Sequence, residues 1–238
     1  MCVWPWFGEQ AGSRVEAEVA AHPRIECVVA RYSEDVSWTA ALCCPVVVYD
    51  KSGTPGPYAL PNVGRESHTY LHHIVARYPD FADYTAFVQG DPFRHLPPDM
   101  DAAGLWRRMQ QNARLCAPFA GLAWFKLKCD RLGRPHDMAD PARAGSWAGF
   151  GKDIPVGELY AALFAGPVPE TFLTPAPAGL FMVSRERILA RPLGFYRKAL
   201  ALAAADPGDA DNTGHAFERL WNVIFNGRAD LNRPDAAD

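Results

Sequence analysis

The spacing of hydrophobic positions changes along the chain, and each change predicts an element. Ile25-Glu26-Cys27-Val28-Val29-Ala30 is short and β-branched, a run suited to a buried strand. Polar Arg31-Tyr32-Ser33-Glu34-Asp35 ends it. Pro45–Asp50 repeats the design and breaks at Lys51-Ser52-Gly53-Thr54-Pro55-Gly56-Pro57, which reads as a loop. The period then lengthens. Tyr70, Leu71, Ile74, Val75 and Tyr78 recur at helical spacing and predict a helix over Glu66–Arg77, with Glu66 at its positive end and Pro79 as a stop. Tyr84–Val88 reads as a third strand, halted by Gln89-Gly90-Asp91-Pro92. Strand, crossover, strand, helix, strand is the rhythm of an α/β sheet with parallel members.

Further on, the pattern predicts a helix over Asp101–Leu115, a strand over Ala120–Leu127 and a Gly/Pro-rich loop over Arg131–Asp153. That loop is longer than a mere connection needs to be. A short helix follows over Val156–Phe164, and Pro167–Pro177 carries four prolines. Gly179–Val183 forms a strand that passes into a helix capped by Ser184. Helices over Leu193–Ala204 and Gly214–Phe225 close a single α/β domain spanning 24–227. Residues 1–23, with Trp4, Trp6 and Phe7, form an arm, and 228–238 a polar tail.

With 238 residues, 49% of them hydrophobic, the chain can bury a substantial core. Its 24 basic residues are outnumbered by 27 acidic ones without runs of like charge, which argues against a nucleic-acid footprint. No apolar stretch approaches the roughly 20 residues that span a bilayer, and the start lacks the pattern of a signal peptide. The six cysteines form no CxxC pair, so free thiols in a reducing compartment, the cytoplasm, are expected.

Candidate chemistry clusters at predicted strand ends. Ligands of open α/β sheets bind beyond the carboxyl ends of strands, which singles out Gln89-Gly90-Asp91: Asp91 could hold a divalent cation or a sugar hydroxyl, or cap a turn. Arg31, Tyr32 and Asp35 follow the first strand, where a loop commonly touches a nucleotide or else forms a solvated turn. Asn62-Val63-Gly64-Arg65 precedes a helix whose first amides suit a phosphate, or is a structural turn capping that helix. His68 and His72 share a helical face beside His73, without the further ligands zinc requires, so a polar face with one half-buried histidine is the simpler expectation. Cys43-Cys44 heads into a strand and reads as packing. Glu218 and Arg219 flank a buried stripe, as ordinary surface or as a carboxylate base and its orienting cation.

Five segments together carry a resemblance: Val28–Trp38, Leu60–Leu71, Phe87–Phe93, Phe181–Ile188 and Phe217–Phe225. They resemble an uncharacterised domain-of-unknown-function family, over about residues 25–227. That family is similar to GT-A glycosyltransferases. The resemblance implies a Rossmann-like, GT-A-type mixed and largely parallel sheet flanked by helices, acting on a nucleotide sugar and a glycan or other hydroxyl acceptor. It also implies the roles: Arg31, Tyr32 and Asp35 on the nucleotide, Asn62, Arg65 and Gln89 on the diphosphate or sugar, Asp91 on manganese, magnesium or sugar, and Glu218 as base. Gln89-Gly90-Asp91 stands where Asp-x-Asp would be expected, which leaves one carboxylate and allows a metal-independent enzyme with an arginine balancing the diphosphate. Two alternatives belong to other classes: a non-catalytic carbohydrate- or nucleotide-binding module, and a metal-dependent hydrolase using His68, His72 and Asp91.

Overall fold

The computed structural model describes residues 22–135 and 153–233. Trp4, Trp6 and Phe7 of the expected arm lie outside the described residues, as do most of the expected loop at 131–153 and the last five residues of the expected tail.

Three parallel strands start the fold: β1 (Ile25–Arg31), β2 (Val46–Asp50) and β3 (Tyr84–Gln89). They lie in the order β2-β1-β3, followed by β7 (Phe181–Ser184) and β4 (Phe119–Gly121). β7 is antiparallel to both its neighbours, so four of the five strands point the same way in a mixed sheet. The alternation of β1 assigns its residues to two cores, as the two-residue side-chain period requires. Cys27 and Val29 face one side, with Ala86 and Val88 of β3 and Leu105 and Met109 of α2 (Ala102–Arg114). Val28 and Ala30 face the other, with Phe87 and with Tyr70, Leu71 and Ile74 of α1 (Arg65–Arg77).

The second side is the larger. It holds α1, α3 (Val156–Leu163), α5 (Leu193–Ala204) and α6 (Thr213–Asn226). Trp221 of α6 is fully buried and packs on Phe181 at 5.3 Å and Tyr70 at 6.1 Å, fixing α6 across β7 and α1. Ser184 accepts a hydrogen bond from the Arg187 amide, capping the short helix α4 (Arg185–Leu189) as its sequence predicts.

One expectation is corrected, and two segments gain detail. The single strand expected over Ala120–Leu127 is two pieces, β4 and β5 (Leu127–Asp130), in different sheets. The reason is at Gly121, where a Cβ would sit 1.8 Å from the Pro175 carbonyl oxygen: the backbone crosses too closely there for a straight strand to continue. The proline-rich segment contains β6 (Thr171–Thr174), paired antiparallel with β5, because its prolines flank the strand and leave the interior donors intact. The expected polar tail is anchored as far as it is described. The Ala165 amide donates to the Leu231 carbonyl, and the buried Arg191 guanidinium reaches the Arg228 carbonyl at 3.2 Å and the Asn232 side chain.

One glycine sets the entry to α1. Gly64 has φ +55°, and a Cβ on it would approach the Ala203 carbonyl oxygen to 2.5 Å, so α5 backs directly onto this turn. Gly64→Ala is expected to cost about 3 kcal/mol in urea unfolding through backbone strain and overpacking. Gly56→Ala, with nothing within 4 Å of the added methyl, should stay within about 0.5 kcal/mol of the parent.

Candidate functional site

The strand order makes a crevice. From β1 the chain crosses to β2 over the α2 side, through a 3₁₀ turn at Ser37–Ala41, and from β2 it returns over the opposite side through α1 to β3. The loops after β1 and β2 therefore leave over opposite sides at their carboxyl ends, the position where open α/β sheets take ligands, and the loop after β3 runs to the α2 side beside the loop after β1. The loop after β1 is held by its own carboxylates. Glu34 Oε2 accepts from the Tyr32 and Ser33 amides at 2.7 and 3.1 Å. Asp35 accepts from the amide and hydroxyl of Ser37, which hold its carboxyl below the usual range. Directly against this loop lies Gly90, where a Cβ would meet Glu34 Oε2 at 2.7 Å, and whose carbonyl accepts from the Trp38 indole at 2.8 Å. A side chain at this position would have to displace the Glu34 carboxylate.

A buried charge cluster adjoins the crevice. Lys51 directly follows β2; its amide donates to the Arg31 carbonyl and its ammonium to the carbonyls of Val63 and Arg65. Lys51 thereby ties the β2 end to the start of α1, and burial pulls its ammonium down to about 8. Arg65 stands between Glu66 at 3.7 Å and Asp209 at 4.0 Å. Asp209 also accepts from the Gly214 amide and meets His215 Nδ1 at 2.6 Å, so the starts of α1 and α6 share one acid. Burial pushes the Glu66 carboxyl up, opposed by Arg65 and reinforced by Glu218.

Glu218 connects the two parts. Its Oε1 accepts from the Ala178 amide at 2.7 Å, and its Oε2 lies 3.2 Å from the Arg219 guanidinium. The Ala178 carbonyl in turn accepts from the Gln89 side chain at 2.8 Å. A single residue thus relays the end of β3 to α6, and Ala178 holds a left-handed φ of +59°.

The predicted residues therefore meet at one sheet edge but do different work. Gln89 and Glu218 are joined through Ala178, and Arg65 pairs with Glu66 and Asp209. Arg31 is spent on structure, pairing with Asp50 and donating to the Glu34 carbonyl. Tyr32 is 51% exposed at the lip, and Asn62 is exposed on the loop before α1. Asp91 pairs with Arg94 at 3.0 Å. Sequence reasoning missed Lys51, Asp209 and His215. Lys51 looked solvated in its Gly/Pro-rich loop, and the Asp209–His215 pairing carried no spacing signal.

A divalent cation does not fit this edge. Among the described residues no group of three or more His, Cys, Asp and Glu side chains is placed to hold a metal ion, and the carboxylates of Asp91 and Asp35 are already engaged. His68, His72 and Asp91 do not assemble a site. His72 is the half-buried histidine expected, but the face is not simply polar, because His68 and His73 are both buried. His68 stacks on His72 at 6.3 Å, and His73 lies between the Tyr49 hydroxyl and Glu26. Cys44 packs as expected, whereas Cys43 is exposed.

Two measurements test the cluster. Glu218→Ala strips the Ala178 amide of its acceptor and should cost about 2 kcal/mol in a denaturant melt, while Glu218→Gln keeps that acceptor and should cost less than half as much. Burial, with Lys51 and His72 nearby, lowers the His68 imidazole to about 4. Its folded pKa lies below the unfolded value, so unfolding takes up a proton between about 6.5 and 4, and stability falls as pH drops through that window. The fall should be shallower in His68→Leu, read as the melting temperature at pH 7 and pH 4.5.

Neither the curated proteins nor the solved structures contain a significant match to the chain. A family model described as a protein of unknown function, DUF3431, matches residues 27–238. That span takes in both cores, the crevice and the charge cluster, and the chain belongs to this family.

Proposed function

We propose that this chain is a GT-A-like glycosyltransferase of the cytoplasm, moving a sugar from a nucleotide-sugar donor to a glycan or other hydroxyl acceptor. One observation carries the reading. Gln89 at the end of β3 and Glu218 of α6, distant in sequence, are joined through Ala178 beyond the carboxyl ends of the strands, where α/β sheets take nucleotides. The five described cysteines are free thiols, as a reducing compartment allows, and no described helix is long and apolar enough to cross a membrane.

On this reading the exposed ring of Tyr32 stacks the base, Asn62 and Arg65 meet the diphosphate, and Asp91 holds a sugar hydroxyl. The acceptor oxygen bonds to the anomeric carbon and passes its proton to Glu218. The bond from that carbon to the diphosphate breaks, and the nucleoside diphosphate leaves. Arg65, with 40% of its side chain exposed, supplies the charge that meets the leaving group. No step is routed through a metal.

A second reading is favoured by a specific observation. Both Glu218 oxygens are engaged, by Ala178 and Arg219, which suits a module that binds a nucleotide sugar without turning it over.

The test is a thermal-shift panel of nucleotide sugars with and without manganese, followed by an assay for released nucleoside diphosphate in the presence of hydroxyl acceptors. A shift with one donor class, independent of manganese and weakened in Asp91→Ala, is expected. Release should fall by at least about 100-fold in Glu218→Gln if that carboxylate is the base. Binding without release would favour the module, and no shift with any donor would overturn both.

A further inference from the structure

The opposite edge of the sheet holds a cavity of about 690 Å³. It lies at the amino ends of β1, β2 and β3, where Ile25, Pro45 and Ala82 line it, and beside the last turn of α2. Arg24, Arg77, Arg114 and Arg185 converge on it from four separate segments, against the carboxylates of Glu26 and Asp80. Four cations less two anions leave a lining of charge +2 with the histidine neutral.

Arg77 acts on Glu26 through space, without a close pair. Among the described residues Arg77, Arg114 and Arg185 make no ion pair, and Arg24 meets Asp83 only at 3.6 Å on the exposed rim. The carboxylate deepest in the cavity is occupied elsewhere: Glu26 accepts from the Thr85 hydroxyl at 3.0 Å and lies 3.6 Å from His73. Arg77 and Arg114 stand in the last turns of α1 and α2, where helix carbonyls take up part of their charge. Arg185 sits at the first position of α4, which has no such use for a cation. The floor between the guanidiniums is apolar, from Ile25, Phe81, Trp106 and Ala113.

We propose that this cavity binds a small phosphate monoester, its dianionic head between Arg185 and Arg77 or Arg114 and its apolar body against Trp106 and Phe81. A phosphate offers guanidinium groups paired oxygens in matching geometry. A monoester supplies the two negative charges that the lining lacks. The apolar lining selects an ester with an aromatic or similarly apolar group over the free ion. The site shares no residue with the transferase reading and stands without it.

Phenyl phosphate is the probe, with inorganic phosphate and phenol as comparisons. The expected result is saturable binding of phenyl phosphate by calorimetry, weaker binding of phosphate and none of phenol. Arg77→Gln and Arg185→Gln, both of exposed side chains, should each weaken phenyl phosphate about tenfold. Cysteine alkylation locates the site independently. Cys43 is exposed and lines the cavity, whereas Cys116 is exposed and does not. Phenyl phosphate should slow iodoacetamide labelling of Cys43, followed by peptide mass spectrometry, and leave Cys116 unchanged. Absence of saturable binding, binding indifferent to both arginine substitutions, or unprotected Cys43 would each overturn the proposal.

Discussion

The structure depends on the register between β1 and β3. Six residues of β1, Ile25 to Ala30, are opposed in parallel to Tyr84–Gln89, and β1 is buried on both faces for nearly its whole length. A slip of one residue would exchange Cys27 and Val29 with Val28 and Ala30 and offer each core the wrong side chains, so the register is strongly specified. The same pairing sets Ala30 opposite Gln89 and so delivers the Arg31 loop and the Gly90 loop side by side. Glu34 over Gly90, the Trp38 indole on the Gly90 carbonyl and the reach of Gln89 to Ala178 all depend on it.

Charge at that edge is placed against the ordinary preference of a protein interior. Lys51, Glu66, Asp209 and Arg219 are all buried, between 4% and 8% exposed. Buried ions repay their desolvation only with good geometry and further hydrogen bonds. Lys51 has two carbonyl acceptors, Asp209 an amide and an imidazole, Glu218 an amide and a guanidinium. These partners come from β2, α1, α6 and the turn before β7, elements already fixed by the two cores. The cluster is a product of the packing around α1 and α6, and hydrophobic residues of similar volume would fold at least as well. Its retention of ions is better explained by what it positions than by stability.

The parts of the fold that were legible in the sequence share a cause. β1, β2, β3, α1, α5 and α6 bury a continuous stripe or face, so their period is strong and their ends lie within two residues of those predicted. β4, β5 and β6 have three or four residues each, too short for a period, and their positions depend on a backbone crossing at Gly121 and on flanking prolines. The site divides the same way. Gln89-Gly90-Asp91 was visible because a strand stops there. The link from Gln89 through Ala178 to Glu218 spans 89 and then 40 residues of sequence, and no local pattern encodes a bond to a backbone group so far away. Arg31 shows the converse: its position at a strand end was legible, but its engagement with Asp50 was not.

The two edges of the sheet treat their cations differently, and this bears on how a donor would be held. At the carboxyl edge nearly every guanidinium has an internal acid: Arg31 with Asp50, Arg94 with Asp91, Arg65 with Glu66 and Asp209, Arg219 with Glu218. An arriving diphosphate competes with carboxylates already in place, so much of the Coulomb attraction is offset by the pairs it weakens. On the transferase reading, binding there must draw on uncharged contacts, chiefly the Tyr32 ring, Asn62 and the close backbone approach at Gly90, with Arg65 contributing as charge builds on the leaving group. That division suits catalysis, because an interaction that strengthens only as the bond breaks lowers the barrier without tightening the ground state. At the amino edge, among the described residues, the close pair of a lining arginine is Arg24 with Asp83 on the rim, which leaves more of the lining's charge to an arriving anion, the arrangement expected of a site that captures an anion and leaves it unchanged.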